Sequence, residues 1–375
     1  MTASDSPVSS SEQQTRVAET LPVLQSPPHP YYNQELHGPY LLADIGDFVT
    51  ESGATLRGTQ LAYVTHGTLN ASKTNAVLMT TWYSGTSKIM EQIFVGPGRA
   101  LDPEKYFIVV VNQLSSGLGT SPHNTSVPWD GPNFPQLSIA DDVRAQHALL
   151  TQKWGISELA LVVGGSMGAQ QTYEWAVRYP EMVKRAAPIA GFARNTDHDK
   201  FYGESLMQAV KSDPGYADGH YQDLREVEAG MRRHVGIWAY MGLCPEFYRH
   251  QLWKPLGFAS ATDFINGFVA ALFLQMDPGD LMCKASKWQC GDVSLQTGGD
   301  LKAALGRVTA KVFVMPISTD QFFPVEDCRL EQELIAGSEL RVITSNWGHF
   351  GLFAVEPEYN EQIDRHLNEL LATEV

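Results

Sequence analysis

The chain has 375 residues, with 42 acidic against 27 basic side chains and a formal charge of −15, a balance that disfavours nucleic acid or an anionic membrane surface as partner because both would be repelled at neutral pH. The length exceeds that of a usual single core, so one large α/β domain with a substantial insertion, or two domains, is expected. Four cysteines, Cys244, Cys283, Cys290 and Cys328, are too few and too scattered for a disulfide framework; without histidines close by they read as buried thiols, and no metal site is expected.

Residues 1–30 are rich in Ser, Thr, Gln and Pro, hold Arg16 as their one strongly basic side chain, and lack an apolar run long enough for a signal peptide or a membrane span. They read as a flexible tail. Without an export signal a cytoplasmic location is expected, and the sequon Asn124-Thr125-Ser126 is expected to go unused. Strand-like runs follow at 40–48, 60–65, 76–81, 106–111, 159–163, 186–190, 311–315 and 340–344, most of them continuously apolar, as suits strands buried on both faces. Helical patterns lie between several of them, at 139–153, opened by Ser138 with Asp141 as a capping box, and at 169–179, 325–335 and 358–371. This alternation predicts a mostly parallel sheet covered by helices. Between 194 and 302 it stops, and the sequence turns polar-aromatic and helical over a span too long for a loop. The expected organisation is a core of residues 31–193 and 303–375 with a helical cap, 194–302, over the carboxyl ends of the strands, where an open α/β sheet places its ligand.

The run Leu161-Val162-Val163 leads straight into Gly164-Gly165-Ser166-Met167-Gly168 and then into a helical stretch. A serine hydroxyl becomes reactive when a sharp strand-to-helix turn projects it, and small residues at 164 and 168 permit that turn. Ser166 is the candidate nucleophile. Asp320 stands at the exit of the 311–315 strand and His349 just beyond the 340–344 strand, so the order Ser, Asp, His matches that of α/β-hydrolases. In that arrangement His349 takes the serine proton and Asp320 fixes its tautomer; singly, Asp320 also reads as a cap for the 325 helix and His349 as a loop histidine. Two amides are candidate oxyanion donors, Met167 directly after the nucleophile and Tyr83 in the turn after the 76–81 strand, although Tyr83 also reads as an aromatic residue on the pocket floor.

With these residues placed, the chain resembles the homoserine O-acetyltransferase family of the α/β-hydrolase superfamily from about Gly38 onward. The resemblance rests on Val95-Gly96-Pro97-Gly98-Arg99-Ala100-Leu101-Asp102 with Lys105-Tyr106-Phe107-Ile108, on Asp142-Val143-Arg144-Ala145-Gln146, on Gly164 to Gln170 with Glu174-Trp175-Ala176, and on Gly348-His349. It implies an α/β-hydrolase fold, an acyl-serine intermediate and a homodimer packed through the cap. Two positions depart from the family pattern. Phe350 stands where the family has an acid after the histidine, and Met207 where it has an arginine on the first cap helix.

Burying the charged ends of an amino acid without partners costs several kcal/mol, or about a thousandfold in affinity, so homoserine is not expected as the acceptor. A pocket carrying Trp82, Tyr83, Met207, Trp347 and Phe350 favours an uncharged apolar or aromatic group, unless these side chains only pack the core. The expected activity is hydrolysis of a carboxylic ester or related acyl bond in a small metabolite, without cofactor. The alternative keeps the same residues and transfers an acyl group from acetyl-CoA or another acyl-CoA to a different alcohol; a third reading, a binding protein on the same scaffold, conflicts with the intact triad.

Overall fold

The computed structural model describes residues 29–375, so all but the last two residues of the expected tail lie outside it. Eight strands form one sheet: β1 (Leu41–Asp44), β2 (Gln60–His66), β3 (Ala76–Thr80), β4 (Phe107–Val111), β5 (Leu161–Gly165), β6 (Arg185–Ile189), β7 (Lys311–Val314) and β8 (Glu339–Leu340). Their order is β1-β2-β4-β3-β5-β6-β7-β8. β1 and β2 run antiparallel to their neighbours and every later pairing is parallel. Side chains alternate across a strand, and the central strands obey this. Leu78, Val109 and Val162 join one core cluster, while Val77, Met79, Ile108, Val110, Leu161 and Val163 join a second on the opposite face.

Helices α1 (Ser87–Phe94), α2 (Ile139–Trp154), α3 (Met167–Arg178), α4 (Asp197–Lys211), α5 (Glu228–Met241), α6 (Pro278–Gln289), α7 (Val325–Gln332) and α8 (Pro357–Leu371) account for the long helical pattern. α2 opens on the expected capping box, with Ser138 and Asp141 each satisfying the other's backbone N–H, and ends at Gly155 in the left-handed conformation (φ 59°). α4, α5 and α6 lie in the span between β6 and β7, where α4 packs against both others. That span adds no strand to the sheet among the described residues. No helix of the described residues is long and apolar enough to cross a membrane.

Several expectations are corrected. The strand read over 40–48 ends at Asp44, whose Oδ1 accepts the Gly46 N–H (2.7 Å); Gly46 turns at φ 78°, and Phe48–Val49 pairs instead with Thr55–Leu56 in a separate ribbon. The strand read over 340–344 keeps a ladder only at its start, with one further bridge between Ile317 and Ile343. α1 was not anticipated, although Met90, Ile93 and Phe94 carry helical spacing onto its buried face. Cys244 and Cys328 are buried as expected, but Cys290 caps the exposed end of α6 and Cys283 is only partly covered.

Candidate active site

Parallel pairing sets Thr80 beside Gly164 and Gly165 beside Ile189, so β3, β5 and β6 end together. Ser166 follows β5 at φ 55° and ψ −122°, a conformation that costs a non-glycine residue roughly 1–3 kcal/mol and persists only where surrounding bonds impose it. Its N–H donates to the Ile189 carbonyl (2.9 Å), and its own carbonyl accepts from Ala169 (2.8 Å) and Gln170 (3.2 Å). The turn leaves no room at its glycines: a Cβ on Gly164 would meet Thr80 Oγ1 at 2.1 Å and the Gly168 carbonyl at 2.6 Å, and one on Gly168 would meet the Thr80 carbonyl oxygen at 2.9 Å.

His349 sits in a 3-10 turn, Gly348–Phe353, entered through Gly348 at φ 58°. Its Nε2 lies 2.9 Å from Ser166 Oγ and its Nδ1 lies 2.7 Å from Asp320 Oδ2. A carboxylate oxygen accepts, so Nδ1 carries the proton and Nε2 is free to accept from the serine hydroxyl. The second Asp320 oxygen accepts the Phe322 (2.8 Å) and Phe323 (3.2 Å) N–H groups. Helix α7 begins after Pro324, so Asp320 is not its cap. All three residues are buried, where such bonds are little weakened by water.

Met167 N–H opens α3, where a first-turn amide has no helical acceptor and the helix dipole favours negative charge. The Tyr83 N–H follows β3, and among the described residues neither amide donates to a protein acceptor. One side chain braces both: Gln171 Nε2 donates to the Thr81 carbonyl (3.0 Å) and the Met167 carbonyl (3.1 Å). Gln146 Nε2 donates to Gln171 Oε1 (2.6 Å), Trp175 Nε1 donates to Gln146 Oε1 (2.8 Å), and Gln113 Nε2 donates to the Trp82 carbonyl (3.0 Å). The sequence blocks around 142–146 and 170–176 thus hold the backbone behind these amides.

Ser166 and His349 open onto a cavity walled by Trp82, Tyr83, Ser84, Trp238, Phe350, Leu352 and Phe353. No Asp, Glu, Lys or Arg stands in this wall. The Tyr83 ring stacks on Trp238 (5.6 Å) and its hydroxyl meets His234 Nε2 at 3.0 Å. Burial raises the Tyr83 phenol well above its ordinary value and lowers His234 to about 3, so both are neutral around pH 7. A larger crevice of about 310 Å³ opens beside Glu51, Glu174 and Arg178 and includes no triad residue.

A model of the α/β-hydrolase fold matches residues 89–235. An ethyl acetate hydrolase of Pseudomonas veronii is 54% identical over 92% of this chain and 98% of its own length. The solved acetylester hydrolase of Corynebacterium glutamicum is 51% identical, with a TM-score of 0.91 over 92% of this chain and 99% of that one. A homoserine O-acetyltransferase of Thermobifida fusca is 32% identical over 86% of this chain and 90% of its own length. The chain belongs to the homoserine O-acetyltransferase-like family of α/β-hydrolases.

For this α/β-hydrolase, the residues singled out from sequence divide. Ser166, Asp320 and His349 meet in one relay, Met167 and Tyr83 flank it, and Trp82 and Phe350 line the cavity. Trp347 and Met207 do not line it. Trp347 stands edge-on against Phe247 (4.8 Å) and Phe264 (5.9 Å), and Met207 is buried in the main core on α4. Trp238, Ser84, Leu352 and Phe353 went unread. Leu352 and Phe353 carried a signal, since they share the short turn of His349; Trp238 carried none, because nothing in α5 marks which face meets Tyr83 and Phe350.

Proposed function

We propose that this hydrolase cleaves carboxylic esters of small, uncharged alcohols and acids through an acyl-serine at Ser166. The relay from Asp320 through His349 to Ser166 Oγ carries this reading. Ser166 Oγ attacks the ester carbonyl carbon while His349 Nε2 takes its proton, and the oxygen that becomes negative is held by the Met167 and Tyr83 amides. Collapse breaks the bond to the alkoxy oxygen, which leaves as the alcohol with the proton from His349. Water then gives a proton to His349 and attacks the acyl carbon, releasing the acid and restoring Ser166. The imidazolium formed in each half is stabilised by Asp320.

The uncharged cavity wall supports an uncharged substrate, because a carboxylate or ammonium would be buried there without a partner. Phe350, stacked on Trp238 at 5.9 Å, supports the same conclusion. The names of the relatives at 54% and 51% identity, an ethyl acetate hydrolase and an acetylester hydrolase, agree with a short ester. No cofactor is required by these steps. Residues 194–302 act as the cap, and exposed Phe201 and Tyr240 on its helices support a dimer packed there.

Intact mass after brief exposure to a short activated ester and, separately, to acetyl-CoA tests the reading, with Ser166→Ala as control. The expected result is steady ester turnover that Ser166→Ala abolishes, with no lasting adduct from acetyl-CoA. Turnover by Ser166→Ala would overturn the mechanism, and an acetyl adduct that waits for an added alcohol would make the protein a transferase.

A further inference from the structure

The space above Ser166 open to the centre of a water molecule is about 10 Å³, room for about one water and not for an intact ester. Something in the wall must yield for substrate to enter. Trp82, Trp238, Phe350 and Leu352 are each no more than 3% exposed, whereas Phe353 and Ser84 are partly exposed, so the opening in the wall lies at these partly exposed residues. Phe353 stands edge-on to Trp82 (5.8 Å), to Phe350 (5.2 Å) and to Phe268 (5.9 Å). Phe268 comes from the cap, in a wide π-turn, Ile265–Val269, and is itself partly exposed. π-turns of this kind inside helices are frequent at functional sites.

Chemistry then decides which half of the ester passes this mouth. The alkoxy oxygen must come within hydrogen-bond reach of His349 Nε2 to receive its proton. His349 and Phe353 line the same cavity from one 3-10 turn, and Phe353 is the partly exposed member of the pair. We propose that Phe353, backed by Phe268, is the gate for the alkoxy half and sets its upper length, while the acyl half faces the closed walls. The proposal rests on Ser166 being the nucleophile.

The test measures kcat/KM on two ester series, acetates from ethyl to hexyl and ethyl esters from acetyl to hexanoyl. In Phe353→Ala the ratio of hexyl acetate to ethyl acetate is expected to rise about tenfold or more, within the range by which one or two methylenes discriminate in an apolar pocket; the acyl ratio of ethyl hexanoate to ethyl acetate is expected to stay near its original value. Phe268→Ala, which removes a ring packed behind Phe353 and does not itself line the cavity, should shift the alkoxy ratio in the same direction by about threefold, and decides the matter if Phe353→Ala does not fold. Parallel changes in both series, or a rise confined to the acyl series, would overturn the gate. Failure of the nucleophile reading is separate, because it would leave Ser166→Ala active on every ester.

Discussion

Asp320 is held at both ends, and this makes its replacement by asparagine informative. One oxygen accepts two backbone N–H groups and the other accepts from His349 Nδ1. In Asp320→Asn the amide oxygen must face the Phe322 and Phe323 N–H groups, because an NH2 there would oppose two donors. The NH2 then points at His349 Nδ1, which has to become an acceptor. The imidazole proton moves to Nε2, facing Ser166, and the base can no longer take the serine proton. The expected outcome is a fall in kcat of about 10⁴ on a short ester, the size seen when this tautomer is lost elsewhere, with a melting temperature close to that of the parent. A loss of only a few-fold would mean that Asp320 does not orient the ring.

At the scale of elements, a buried ion pair joins α2 to α6, a helix of the span between β6 and β7. Lys287 of α6 lies 2.6 Å from Asp142 of α2, both side chains being inaccessible. Lys287 Nζ also donates to the Leu114 carbonyl (2.9 Å), and Asp142 Oδ1 accepts the Leu114 N–H (2.8 Å). Removing one partner strands the other charge, so Lys287→Met should cost about 3–5 kcal/mol in urea unfolding, and adding Asp142→Leu should recover much of it. A double variant no more stable than the single one would show that the pair's geometry, and not its stranded charge, sets the cost. The Asp142 block was visible in sequence, but its partner 145 residues away was not. The same contrast runs through the site. The elbow was legible because Gly164, Ser166 and Gly168 answer to one local turn, and Asp320 and His349 because each follows its own strand. The cavity wall gathers Trp82, Trp238 and Phe353 from three distant segments, and no spacing records which faces of the helices between β6 and β7 turn inward; Met207 was misplaced for that reason, and Trp347, two residues before His349, because its ring turns to Phe247 and Phe264 instead.

Over the whole molecule, charge is arranged so that acid and base act differently on surface and interior. Exposed carboxylates such as Asp47 beside Arg57 and Asp223 beside Arg225 are held below their ordinary range by their arginines, and such exposed pairs add little to stability. Two buried carboxyls near the segment that joins β6 to α4 do the reverse. Glu331 of α7 accepts the Ala193 (2.7 Å) and Arg194 (2.9 Å) N–H groups where the chain passes from β6 to α4, yet burial outweighs those donors and pushes it up to about 8. Burial likewise raises Asp199, in the first turn of α4, to about 6. A carboxyl raised in the folded state keeps a proton that the unfolded chain releases. Its contribution is therefore fully present below the unfolded value, about 4.3 for a glutamate, and is lost as pH rises through about 6 for Asp199 and about 8 for Glu331. Glu331→Gln removes one such titration while giving up one of two acceptors, so the variant should be less stable than the parent at pH 5. Between pH 5 and 8 the parent alone loses the Glu331 contribution, at up to about 1.4 kcal/mol per pH unit, and the gap in urea-unfolding free energy should close steadily. A gap that stays constant across that range would mean that Glu331 is ionised in the folded protein, with its two backbone donors prevailing over burial.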